Sequence, residues 1–186
     1  MSELSYIGEN IDLILGQEFL TWLWFRSETA AVFHMEKGNE PFTVAMEQRI
    51  VVRGGEGESM ETATVSGSLS PLREARLGLQ TGKQVVRALV KTEKDGMEWQ
   101  VTLKAEDLSF NSFRTPKVDR SDASDDPDAL FLEKAYLMEL GLSMFDEMFK
   151  SFLQIRLSEE AWFKEIKKIA QWMEHDLSEG AFLPEI

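Results

Sequence analysis

The chain has 186 residues, 33 acidic against 20 basic side chains, a formal charge of −13, 43% apolar residues and 10% aromatics. Apolar residues recur along its whole length, which excludes a disordered chain and points to one globular domain, or one with a small appendage. Cysteine is absent, which excludes disulfides, thiolate zinc sites and cysteine nucleophiles and fits a reducing compartment.

The N-terminus MSELSYIGEN has no basic segment followed by an apolar core, so no signal peptide is expected. The aromatic block Phe19–Phe25 is too short to span a bilayer. A soluble cytoplasmic protein without membrane contact is the expectation. From Glu9 to Arg26, the residues Ile11, Leu15, Phe19, Leu20 and Leu23 recur at helical spacing, with Asn10 as the expected N-cap. Trp22, Trp24 and Phe25 widen that stripe until the helix is apolar nearly all round, which predicts core packing, not a base-stacking platform.

Residues 31–35 and 42–52 then read as two strands joined around Gly38-Asn39, followed by a turn at 53–58 and a third strand over 60–67. Ser70 and Pro71 open a short helix that ends near Gly82. The clearest hairpin pairs Lys83–Lys91 with Met97–Lys104, and Asp95-Gly96 supplies residues that tolerate positive φ at the turn. Period-two spacing puts Trp99, Val101 and Leu103 on one face of the return strand, and Val86, Ala88 and Val90 on one face of the first. Lys83, Arg87 and Lys91 fall together on the opposite face of that first strand.

Residues 111–128, poor in large apolar side chains and rich in aspartate, read as a linker. A long helix follows over 128–156, with Leu130, Leu137, Met138, Gly141, Met144, Phe145, Met148, Phe149 and Phe152 at helical spacing. A last helix starts at Ser158 and is expected to bury Trp162, Ile166, Ile169 and Met173. The fold class is therefore α+β: an antiparallel sheet built from hairpins, packed with an N-terminal helix and two C-terminal helices. Residues 1–120 form the expected α+β domain and 121–186 a helical region behind the acidic linker.

The charge is unevenly spread: −7 over residues 1–70, +3 over 71–120 and −9 over 121–186. Within the basic middle, Lys83, Arg87 and Lys91 sit about 13 Å apart by the strand rise, a spacing able to track a phosphate backbone. A solvated strand face accounts for the same residues more simply on composition alone. Catalytic constellations are scarce. His34 and His175 have no triad or metal spacing around them. The glycine-rich turn at 53–57 lacks the Lys-Ser/Thr of a phosphate loop, and the aspartates of 119–128 lack the order of a calcium loop. The expectation is a non-enzymatic protein with no metal and no cofactor.

Several segments in order resemble the C-terminal half of the RdgC family of recombination-associated proteins. They are Leu20-Thr21-Trp22-Leu23, the run Thr81-Gly82-Lys83-Gln84-Val85-Val86-Arg87-Ala88-Leu89, the return strand Trp99-Gln100-Val101-Thr102-Leu103-Lys104, and Asp128-Ala129-Leu130-Phe131-Leu132 opening the long helix. The resemblance covers residues 10–155 by order of elements, and the helix after Ser158 lies beyond it. It implies a nucleoid-associated, metal-free homodimer that binds duplex DNA with little sequence preference and restrains the recombinase by occupying DNA. On that basis Lys83, Arg87, Lys91 and Lys104 are the expected phosphate contacts. The alternative is an acidic protein–protein interaction module that acts as an accessory factor, for instance toward a recombination protein. The direction in which Lys83, Arg87 and Lys91 point, together or into pairs with Glu93 and Glu98, separates the two.

Overall fold

Glu3 suits the positive end of a helix dipole and no proline follows it for almost forty residues, so nothing local stops a helix before Asn10. In the computed structural model, which describes residues 2–54, 61–65, 76–118 and 127–175, helix α1 accordingly runs Ser2–Thr29. Asn10 therefore lies inside α1 and is not its N-terminal boundary. The C-terminal half of α1 is buried all round, as its aromatic thickening predicts: Phe19, Leu20, Trp22, Leu23, Trp24 and Phe25 all belong to the core. Gly16 is buried because α1 crosses the end of a strand there, where an added Cβ would lie 1.9 Å from the Ala105 carbonyl oxygen.

Six strands form one antiparallel sheet: β1 (Val32–His34), β2 (Pro41–Gly54), β3 (Glu61–Val65), β4 (Gln84–Lys94), β5 (Met97–Lys104) and β6 (Phe110–Arg114). The order is β1-β2-β4-β5-β6, with β3 also on β2. β1 pairs with Pro41–Thr43 and β3 with Ile50–Gly54, so the two share one edge of β2 end to end. The expected α+β class, with its antiparallel hairpins, N-terminal helix and two C-terminal helices, is what forms.

The β4–β5 turn consists of Asp95 (φ 53°) and Gly96 (φ 75°) alone. Two successive residues with positive φ match the right-handed twist of a tight hairpin, so β4 continues to Lys94, past the predicted end at Lys91. At the other end Lys83 falls just before the strand. Val52 pairs with Val85 and Val51 with Arg87, which leaves Val86 as the extra residue of a bulge. Val86 thus leaves the face of Ala88 and Val90, and Val85 takes its place in the core. A bulge also explains why β6 was invisible in the sequence. Thr102 pairs with Asn111 but Gln100 with Arg114, and the intervening Ser112 has φ 54°, so the period-two pattern breaks inside the strand. The predicted linker therefore begins with a strand; residues 119–126 of its acidic run lie outside the described residues.

Residues 76–80 are helical (α2), and the predicted start of that helix at Ser70 lies outside the described residues. Helices α3 (Pro127–Arg156) and α4 (Glu159–His175) follow. α1 packs on β2 and β4, and α3 and α4 pack on α1. Gly141 lets α3 lie flat on the sheet, because a Cβ there would meet Trp99 Cδ1 at 2.6 Å and Phe113 Cζ at 2.7 Å. In α4 the buried hydrophobic residues are Ile169 and Trp172, whereas Ile166 is 45% exposed, contrary to its helical-spacing expectation. Trp172, which turns between Trp24 and Phe25, anchors the helix instead.

Buried indole N–H groups are paired, which fixes the helices in register. Glu28 accepts from Trp24 Nε1 at 2.7 Å and Trp172 Nε1 at 2.9 Å and is also ion-paired with Arg76, whose guanidinium lies 4.6 Å over the Trp172 ring. Trp22 Nε1 donates to Glu165 at 3.1 Å, and Trp99 Nε1 donates to the Leu137 carbonyl at 2.8 Å. One carboxylate therefore ties α1, α2 and α4 together.

Candidate nucleic-acid interface

Alternation along a strand sends successive side chains to opposite faces. Since Ala88, Val90, Val101 and Leu103 point into the helical layer, Arg87, Leu89, Lys91, Gln100, Thr102 and Lys104 point away from it. None of these outward residues is buried, and the described helices all pack against the other face. The sheet thus has one covered and one bare side, the usual arrangement for antiparallel sheets.

On the bare side Arg87 stands directly opposite Lys104 across the β4–β5 ladder. Directly opposed residues have Cβ atoms roughly 5 Å apart, so two cations are held side by side with no acid between them in the register. Lys91 lies four residues along β4 and faces Gln100, whose other neighbour is Arg114 on β6. Arg53, two residues beyond the Val51 that pairs with Arg87, extends the group onto β2. Arg53, Arg87 and Arg114 are exposed, and Lys91 and Lys104 half-exposed.

Of the four residues predicted from sequence, the structure brings three together, Arg87, Lys91 and Lys104. It separates the fourth. Lys83 precedes β4, donates its backbone N–H to Gly78 and lays its stem across Gly54 and Gly78, against α2 and away from the Arg87 face. The shift of face follows from the Val86 bulge, which alters the alternation between residues 83 and 87. Arg53 and Arg114 were missed. In the sequence Arg53 reads as part of a turn, although β2 runs through Gly54, and Arg114 as part of a linker, because the Ser112 bulge hides β6.

The opposite end of the same face is acidic. Glu93 faces Glu98 across the ladder, and Lys91 Nζ lies 3.7 Å from Glu98. These three residues line a shallow groove of about 130 Å³ with Thr43, Ala45 and Thr92, and its carboxylates would repel a phosphate. The Arg87–Lys104 end has no carboxylate facing it across the β4–β5 ladder. His34 is exposed on β1, and the His175 side chain lies outside the described residues. Among the described residues no three His, Cys, Asp or Glu side chains converge as a metal site requires, and no helix is long and apolar enough to cross a membrane. No protein-family model, curated protein or solved structure matches the chain.

Proposed function

We propose that the chain is a non-enzymatic, sequence-nonspecific binder of duplex DNA, associated with recombination or replication in the nucleoid, of the kind the RdgC family comprises. The observation that carries this is the Arg87–Lys104 pair on a sheet face that no described helix covers. Arg53 and Arg114 widen it into a band across four neighbouring strands, β2, β4, β5 and β6. Three interstrand spacings make that band roughly 14 Å wide, a width suited to lying along one phosphate backbone. None of these side chains is arranged to read base edges, so affinity would come from phosphate neutralisation and depend steeply on salt. The net charge of −13 does not oppose this, because within a Debye length of about 10 Å the local face governs the interaction.

A second function, the acidic interaction module, is favoured by the Lys91–Glu98 pair and the Glu93–Glu98 end of the same face. Titration of a fluorescent duplex by anisotropy at two salt concentrations separates the two. Four phosphate contacts give a slope of log K against log salt near −3.6, or an affinity loss of about 150-fold between 50 and 200 mM salt. Arg87→Ala with Lys104→Ala is expected to flatten that slope by about 2. An absence of salt-sensitive binding at micromolar protein overturns the DNA assignment and leaves the interaction module.

A further inference from the structure

The helical layer, on the other face of the sheet from Arg87 and Lys104, carries an apolar surface that the core does not use. Helix α3 buries Leu137, Met144, Phe145 and Met148, yet Phe131 is 69% exposed, Met138 50% and Leu142 41%. Residues at steps of seven and four lie on one helix face, so these three form a stripe, and Phe145 and Phe149 continue it. The stripe is about 16 Å long from Phe131 to Leu142 by the helix rise. It leads into a cleft of about 490 Å³ walled by Phe19, Leu103, Leu108, Phe110, Phe145 and Phe149. Scattered exposed apolar residues are ordinary on a protein surface; a continuous stripe ending in an aromatic cleft is not.

The rim of this surface is acidic. Glu139 and Asp146 flank the stripe on α3, and Glu106 and Asp107 stand exposed in the turn just before Leu108 on the other wall. The Asp107 carboxyl is held below the usual carboxylate range by hydrogen bonds from Ser109, so it stays charged. Lys150 approaches Asp146 at 3.2 Å, but it also serves Glu147 at 3.3 Å and Glu36 at 3.4 Å, and one lysine among three acids leaves the rim negative. Lys134 is the other lysine of α3. A second copy of this chain docked stripe to stripe would set the same acidic rim, Glu139, Asp146, Glu106 and Asp107, against this one. A partner with apolar side chains in a row and lysine or arginine beside them satisfies both features.

We propose that the Phe131–Met138–Leu142 stripe and the adjoining cleft dock a basic amphipathic helix of a partner protein. A helix laid in such a groove presents anchors at i, i+3 or i+4 and i+7. One large apolar anchor enters the cleft, and the others lie along the stripe while basic residues meet Glu139, Asp146, Glu106 and Asp107. The stripe and the basic sheet face lie in opposite layers, so the inference stands whether or not the protein binds DNA.

The probe is a fluorescent synthetic peptide of leucine and lysine, about 18 residues long so that it forms a helix when bound, with leucines at helical spacing. A scrambled isomer of identical composition controls for charge. Anisotropy with the full chain should show saturable binding of the amphipathic peptide, at least about tenfold tighter than its isomer, a difference of roughly 1.4 kcal/mol. Phe131→Ser with Met138→Ser should remove at least that tenfold, and both positions are exposed enough for the fold to survive. If that variant loses its circular dichroism, Glu139→Lys tests the rim alone and should weaken binding severalfold, while Glu160→Lys on α4 should not. Equal binding of the two peptides, unchanged affinity in the stripe variants, or a dimer abolished by Met138→Ser would each overturn the proposal, the last in favour of a self-interface.

Discussion

Replacing Gly16 by alanine sets two effects against each other, and their sizes decide the outcome. In the interior of a helix alanine is favoured over glycine by about 1 kcal/mol, so propensity alone predicts a more stable protein. At Gly16 the new methyl would lie 1.9 Å from the Ala105 carbonyl oxygen and 2.7 Å from its carbon, where ordinary contact begins at 3.4 Å. The obstacle is backbone, which has no alternative rotamer, so α1 must lift off the end of β5 by more than 1 Å. That lift loosens Phe19 and Leu20, which are 3% and 0% exposed in the core. Overpacking of this kind costs about 1–3 kcal/mol, occasionally more, and the rigid partner places Gly16→Ala at the upper end. A net loss of about 2 kcal/mol is expected, which lowers the urea midpoint by about 1 M for an m-value near 2 kcal/mol/M. Gly141→Ala should destabilise as well, because a Cβ there would meet Trp99 at 2.6 Å and Phe113 at 2.7 Å, and the fully buried Trp99 cannot turn away without losing its bond to the Leu137 carbonyl. A midpoint for Gly16→Ala equal to or above that of the parent protein would refute the crossing of α1 over Ala105.

Other substitutions test other parts of the structure. Glu28→Ala strips the acceptor from Trp24 and Trp172 and removes an ion-pair partner of Arg76; the two indole donors left unpaired cost about 1–3 kcal/mol each, so a drop of at least 2 kcal/mol in thermal or urea unfolding is expected, with a changed tryptophan emission. Glu93→Gln removes a like-charge pair directly opposite Glu98 and should stabilise the fold by about 0.2–1 kcal/mol while tightening duplex DNA binding in the anisotropy assay. The Lys94 ammonium bonds to Asp95 at 2.5 Å and Glu40 at 2.8 Å, contacts that raise its proton affinity above the ordinary lysine value of 10.5 although burial works against them. A raised value means the contribution is present below pH 10.5 and lost as pH climbs through the folded value. Melting temperatures should therefore fall more steeply above that pH in the parent than in Lys94→Met, and parallel curves would refute the role of the lysine.

The parts of the fold legible in the sequence were those carried by uninterrupted periodicity. The aromatic stripe of α1, the Trp99–Val101–Leu103 face and the Met144–Met148–Phe152 row all occupy the core as their spacing predicts. Illegible were the features created by single residues out of step. Val86 and Ser112 each add one residue to a strand, and that one residue moved Lys83 off the basic face and concealed Arg114. Ile166 has the spacing of a buried residue but loses its place to Trp172, whose ring fits between Trp24 and Phe25 and whose N–H finds Glu28. Three-dimensional competition of that kind leaves no local mark in the chain. The Arg87–Lys104 pairing was implicit in the hairpin and its turn, since a two-residue Asp95-Gly96 connection fixes the register of everything behind it.

The shared edge of β2 bears on how this sheet avoids growing. An unpaired strand edge invites another chain to add to it, the usual first step of aggregation. Between Thr43, the last residue paired with β1, and Ile50, the first paired with β3, that edge meets no strand among the described residues, and Val44 is taken up by the Ala31 carbonyl at 2.9 Å. The same stretch is irregular twice on its other side, between Ala45 and Gln48 and between Gln48 and Val51. Bulges bend and overtwist a strand, so the open segment is short and bent, a poor template for a flat incoming strand. The opposite edge, β6, is five residues long and carries the Ser112 bulge at its centre. The open segment of β2 and the β6 edge are therefore both blunted by bulges, the one at Ser112 being the same that hides Arg114, and charge repulsion at −13 adds to the protection.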